Sequence, residues 1–165
     1  MLALMEEKVE RDFMSTTKLL GFALLLMSCS LLACKDDAAG DNPVPTAPVN
    51  LTINTDLPTY FKLKTLGNYV YEEGGNKGVL IIHGYDDNFY AFDRLCTHLP
   101  DLSCSLIHVD SMRLNLRCGT FKDTSWTACC DSKYQLDGNV LQGPAKYPLR
   151  QYPVTFSGST IYVRN

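Results

Sequence analysis

Five cysteines and one histidine stand out in an otherwise ordinary sequence: Cys96-Thr97-His98, Cys104, Cys118 and the adjacent pair Cys129-Cys130. Thiolate and imidazole are the donors that hold iron–sulfur centres and, in tetrahedral sites, zinc. Five thiols cannot all pair, so at least one is free or used otherwise. No Ser/His/Asp arrangement, phosphate loop or paired-carboxylate spacing argues for hydrolysis or group transfer. No catalytic residue is therefore assigned, and the domain by itself is not expected to be an enzyme. His83 ends an apolar run and reads as structural, whereas His108, between Ile107 and Val109, is expected to face outward. Phe92 and Trp126 read as core packing beneath the thiols, and Glu72-Glu73 and Asp86-Asp87 as solvated turns. A net charge of −3 and a pI near 5.5 leave no basic footprint for nucleic acid.

The elements that must position these donors are short strands. Val49 to Asn54 alternates apolar and polar residues, as a half-buried strand does. Val79 to His83 and Phe89 to Asp93 flank Gly84-Tyr-Asp-Asp-Asn88 and read as a hairpin. Ser105 to Val109 and Met112 to Arg117 form a second pair around Asp110-Ser111. Tyr152 to Phe156 and Thr160 to Val163 close the chain as a third, around Ser157-Gly-Ser159. Thr59 to Thr65 holds at most a turn, and nothing after Val49 shows a helical period. The fold class is all-β, a sandwich or small barrel of short antiparallel strands.

The N-terminus reads as an address. Residues 1–33 contain a basic residue, Lys18, followed by an apolar run too short and interrupted for a comfortable transmembrane helix but suited to a signal peptide. The charged stretch 1–13 looks like a mis-set start, with Met14 the natural one. Leu31-Leu32-Ala33-Cys34 resembles the lipobox of bacterial lipoproteins, which implies lipidation of Cys34 and stable anchoring without a spanning helix. Residues 34–48 read as lipid anchor and Gly/Pro/Ala-rich tether, and 49–165 as the folded domain. The expected location is the bacterial cell envelope, lipid-anchored in the outer membrane and either periplasmic or surface-exposed.

From Val49 to Val163 the sequence resembles the Rieske iron–sulfur family. Cys96-Thr97-His98 matches its first cluster loop. Ser132 to Leu149 follows its second loop without a gap, through Ser132, Tyr134, Gly138, Gly143-Pro144-Ala145 and Pro148-Leu149. The resemblance implies a Rieske-like sandwich with a small cluster-binding subdomain carrying a [2Fe-2S] cluster, two thiolates on one iron and two imidazoles on the other. It implies hydrogen bonds from Ser132 and Tyr134 to cluster sulfurs, and a disulfide between the loops from Cys129, with Cys104 as its partner. The same register puts Thr127 where the second ligand cysteine belongs, Cys130 where the second histidine belongs, and Asp131 in place of a glycine.

Two outcomes follow from those departures. In one, a cluster survives on Cys96, His98 and Cys130, with Cys129 or Cys118 as fourth ligand, and the protein is an electron-transfer module for an envelope redox partner. In the other the fold has lost its cluster and holds no cofactor. Cys96–Cys130 and Cys104–Cys129 then close as disulfides, Cys118 is left over, and the domain is a binding or structural module. Zinc on the same Cys and His donors is a third.

Overall fold

The computed structural model describes residues 41–165, so the segment read as a signal peptide and Cys34, read as the lipidated cysteine, lie outside the described residues. The described part is built of β-strands in three antiparallel sheets, with a single turn of 3₁₀ helix at Phe61–Lys64.

The first sheet sets β1 (Asn50–Asn54) beside β11 (Thr160–Arg164), which pairs in turn with β10 (Val154–Ser157). The second runs β2 (Tyr69–Glu72), β3 (Val79–His83), β4 (Phe89–Asp93), β9 (Gln151–Tyr152). The third runs β5 (Ile107–Val109), β6 (Leu116–Lys122), β7 (Ser125–Tyr134), β8 (Val140–Gln142). The β3–β4 hairpin has the register its pattern implies, Val79 opposite Asp93 and His83 opposite Phe89. The closing hairpin forms from β10 and β11, with Gly158 and Ser159 at its tip.

Strand β3 explains how the layers are held together. All five of its residues are buried, as a continuous apolar run requires when both faces of a strand are covered. Its alternating side chains divide between two cores. Leu80 and Ile82 join Phe92, Ile107, Leu116 and Tyr134 on one side. Val79 and Ile81 join Ala91, Ile53, Ile161 and Val163 on the other. Each such side chain taken out of water contributes about 1.5–3 kcal/mol, so β3 is anchored from both faces.

Three boundaries differ from those expected of the sequence. Met112 to Asn115 is turn, because Asp110 Oδ1 accepts the N–H groups of Leu114 and Asn115 and curls the chain before β6 begins. Residues 125–134 form the longest strand of the described chain rather than a loop. Part of the segment from Asp41 to Pro48 also packs on the strands. Val44 is fully buried, its carbonyl accepts from Arg150, and Asn42 donates to the carbonyl of Pro148. The second half of the segment read as tether thus lies against the domain.

Candidate metal centre

Cys96 leaves the end of β4, beyond the isolated bridge between Leu95 and Leu106, and is fully buried. Cys118 projects from the middle of β6. Cys130 comes from β7, beside the point where the β6–β7 pairing slips: Arg117 is opposite Lys133, yet Gly119 is opposite Ala128. Between those two pairs, the single residue Cys118 faces the stretch Cys129 to Ser132. At this irregularity Cys130 Sγ comes within 4.8 Å of Cys118 Sγ, while Cys129 pairs with Cys104.

The close approach depends on Gly119. A Cβ there would run into the carbonyl oxygen of Thr127 and the Trp126 ring, so only glycine lets the two strands meet at this point.

The result is a compact trio. The sulfurs of Cys96, Cys118 and Cys130 all lie within 4.8 Å of one another, and Cys96 Sγ is 4.0 Å from Cys130 Sγ. Hydroxyls surround them. Tyr134 Oη sits 3.4 Å from Cys96 Sγ and 2.9 Å from Thr97 Oγ1, while Thr97 Oγ1 donates to the carbonyl of Tyr147. Ser132 Oγ is 3.2 Å from Cys130 Sγ and accepts the N–H of Ala145. One buried hydroxyl therefore reaches each of two thiols, and a network ties both to the loop after β8.

These contacts set the acidities. Hydrogen bonds from Cys118, Tyr134, the His98 backbone and Cys130 bring the Cys96 thiol down to about 6, against the opposing pull of burial. Cys118 moves the other way, because its hydrogen bond to Cys96 holds its proton and burial adds to this. Burial, then the contact with Cys96, raises the Tyr134 hydroxyl. Of this coupled pair Cys96 is thus the thiol that ionises more readily, and Cys118 the one that holds its proton.

A disulfide joins Cys104 to Cys129 and staples the loop after Cys96 to β7. This is the pairing that the resemblance implies. It also removes Cys129 from the candidate ligands, since a bonded sulfur has no thiolate to offer. The expected Cys96–Cys130 disulfide is not formed; both are free thiols, as is Cys118. Cys118, the leftover in one reading of the sequence, lies inside the site. Its thiol was the one signal of this in the sequence, since it lies beyond the strand read over Met112 to Arg117 and outside both loops.

His98 stands outside the thiol group. Its carbonyl accepts from Ser105 Oγ, and Leu99 beside it adopts a left-handed φ of 51°. Gly143 and Pro144 are exposed and reach the thiols only through Ala145, which anchors Ser132. Phe92 packs with Cys96 in the core. Trp126 is half-buried, lies under the Arg117 guanidinium at 4.7 Å, and has a buried Nε1 with no hydrogen-bond partner. His108 does not face outward as expected. It packs edge-on against Tyr71, Phe121 and Trp126, and burial, with the Arg94 charge beside it, lowers it to about 4. His83 is structural, bonded to the Leu63 carbonyl and to Asp87.

The donors fit a thiolate-rich metal centre. They do not complete a centre of two thiolates and two imidazoles: Thr127 cannot replace a thiolate, Cys130 replaces an imidazole, and His98 is apart from the trio.

No family model matches the chain. It is similar to the cytochrome b6-f complex iron-sulfur subunit of Chlorobaculum tepidum, with 30% identity over 94 residues, which is 57% of this chain and 44% of that subunit. The chain thus spans less than half of that relative. Solved structures with a partial likeness are the plasma membrane Rieske protein of Synechocystis PCC 6803 (TM-score 0.49, 21% identity, covering 71% of this chain and 99% of that one) and the ferredoxin of carbazole 1,9a-dioxygenase from Nocardioides aromaticivorans IC177 (TM-score 0.43, 19% identity, 71% and 96%). The chain has Rieske-type homologues, with altered residues at the cluster-ligand positions.

Proposed function

We propose that this protein is a Rieske-type electron-transfer module whose metal centre is an iron site held by the thiolates of Cys96, Cys118 and Cys130. The observation that carries the reading is the meeting of three free thiols within 4.8 Å at the junction of β4, β6 and β7. The iron–sulfur relative supports iron as the metal. Bound there, iron supplies one-electron chemistry. The protein's part is to hold the donors and tune them. Tyr134 sets a hydroxyl against Cys96 Sγ, which lowers the negative charge there and favours the reduced state, while Ser132 Oγ accepts from the Cys130 thiol and holds it in place. The Cys104–Cys129 bond fixes the loop after Cys96 against β7.

The proposal includes the address: cleavage before Cys34, lipidation of that cysteine, and presentation of the domain at the envelope membrane to a redox protein partner. Among the described residues no helix is long and apolar enough to cross a membrane. An intact-mass measurement of the mature protein tests this part, since a lipid adduct on a chain beginning at Cys34 is expected and an unmodified Cys34 refutes it.

The test of the centre is metal analysis and a visible spectrum on protein purified without oxygen. Stoichiometric iron with a thiolate-to-iron absorption that bleaches on reduction is the expected result. A colourless, metal-free protein that takes up no iron refutes it and leaves a disulfide-stapled binding or structural module.

A further inference from the structure

The spacing of the three sulfurs carries one step more. A metal–sulfur distance of about 2.3 Å in a tetrahedral site places the sulfurs on one ion about 3.8 Å apart. Cys96 and Cys130 stand at 4.0 Å, and all three sulfurs within 4.8 Å. Displacements of less than about 1 Å would therefore bring every one of them onto a single ion. A dinuclear cluster asks for something different. Its four protein donors divide two and two between irons separated by bridging sulfides, so donors on different irons stand farther apart than donors on the same one. The trio has no such division, and the described residues hold no fourth thiol for it, because Cys129 is spent on Cys104.

We infer that Cys96, Cys118 and Cys130 bind one thiophilic cation in tetrahedral coordination, without inorganic sulfide, and leave its fourth corner to an exchangeable ligand. Three protein ligands and one open position is the usual arrangement of a site that keeps a place for water or a small ligand. A cavity of about 200 Å³ is lined by two of the three cysteines, Cys118 and Cys130, with Ser132, Arg117, Asp131 and Lys133. It is wide enough for water, and Arg117, Lys133 and Asp131 set charges of both signs on its wall. The inference rests on the trio being a metal site, as proposed above, and not on electron transfer. It assigns a ligand role to Cys118, which lies outside both loop motifs.

The experiment uses the full chain. Iron, zinc and acid-labile sulfide are counted in protein purified without oxygen. The metal-stripped protein is then titrated with Co²⁺, whose sulfur-to-cobalt charge-transfer band scales with the number of thiolates bound. One ion per chain, no sulfide, and a Co²⁺ band that falls by about a third in each of Cys96→Ser, Cys118→Ser and Cys130→Ser are expected. His98→Ala, outside the thiol group, leaves the band in place. If a serine variant fails to fold, peptide-resolved alkylation of the unmodified chain replaces it: bound metal is expected to protect Cys96, Cys118 and Cys130 together. Two irons with two sulfides per chain overturn the single-ion inference and leave the electron-transfer reading standing. One zinc with no iron supports the single ion and overturns electron transfer. No metal uptake, with all three cysteines alkylated alike, overturns both.

Discussion

Removing the Cys104–Cys129 bond is expected to be the most costly small change to this domain. The bond links positions 25 residues apart, and closing a loop of that length in the unfolded chain removes about 12 cal/mol/K, or about 3.5 kcal/mol near room temperature. Both cysteines are half-buried, so paired serines add little further cost. For a folded unit from Asp41 to Asn165, that loss corresponds to a fall in melting temperature of roughly 10–15 °C. The assay is equilibrium unfolding of the unmodified protein and Cys104→Ser/Cys129→Ser, with a chelator present so that metal linkage does not enter. A strong reductant is expected to bring the unmodified protein down to the variant and leave the variant unchanged. A gap below about 1 kcal/mol, or one that persists in reductant, would refute the entropic account and locate the contribution in native contacts.

Four further outcomes follow from the geometry. Gly119→Ala is expected to cost about 1–3 kcal/mol by forcing β6 away from the Thr127 carbonyl and to weaken Co²⁺ binding as well; unfolding and metal titration on the same variant check it. Tyr134→Phe removes the hydroxyl between Cys96 and Thr97, costs about 1 kcal/mol, and raises the Cys96 thiol, which a thiolate-absorbance titration of metal-free protein reads directly. Because Cys96 ionises near 6 when folded and near 9.0 when free, the metal-free domain should gain stability as pH rises through that window; beyond it, the protonated Cys118 opposes the trend, and a flat profile from pH 6 to 9 would refute the assignment. His108 is held neutral, down to about 4, so stability should be complete above pH 6.5 and fall by about 1–2 kcal/mol as pH drops towards 4, an effect that His108→Gln abolishes.

Much of the fold was legible before the structure. The apolar run Val79 to Ile82 and its partner Phe89 to Asp93 lie across five turn residues, so the central hairpin follows from local pattern, while its burial on both faces comes from the layers around it. The closing hairpin around Gly158 follows from local pattern too. The β7 strand was not legible. Thr127 to Asp131 carries small and polar residues with no apolar alternation, and every one of its positions is exposed or partly so; it is a strand because β6 pairs with it, which is a tertiary cause. His108 was misplaced for a related reason, since the rings that cover it come from β2, β6 and β7.

The sequence by itself determined which donors this protein owns: Cys96 after a strand, Cys129 next to Cys130, and a serine and tyrosine at fixed steps beyond, since types and spacings are properties of the chain. It also carried the resemblance to a family whose loops these are. It could not decide which sulfurs meet. Cys118 and Cys130 are separated by a hairpin whose slip in register depends on Gly119 and on the crowding of Trp126 and Thr127, and Cys96 reaches them from another sheet. Whether Cys129 binds metal or Cys104 is likewise a question of which partner is within reach. A β-sheet side chain changes face with every one-residue shift in pairing, so the composition of the site was settled by the tertiary structure, where a single bulge turned an ordinary strand cysteine into its third thiol.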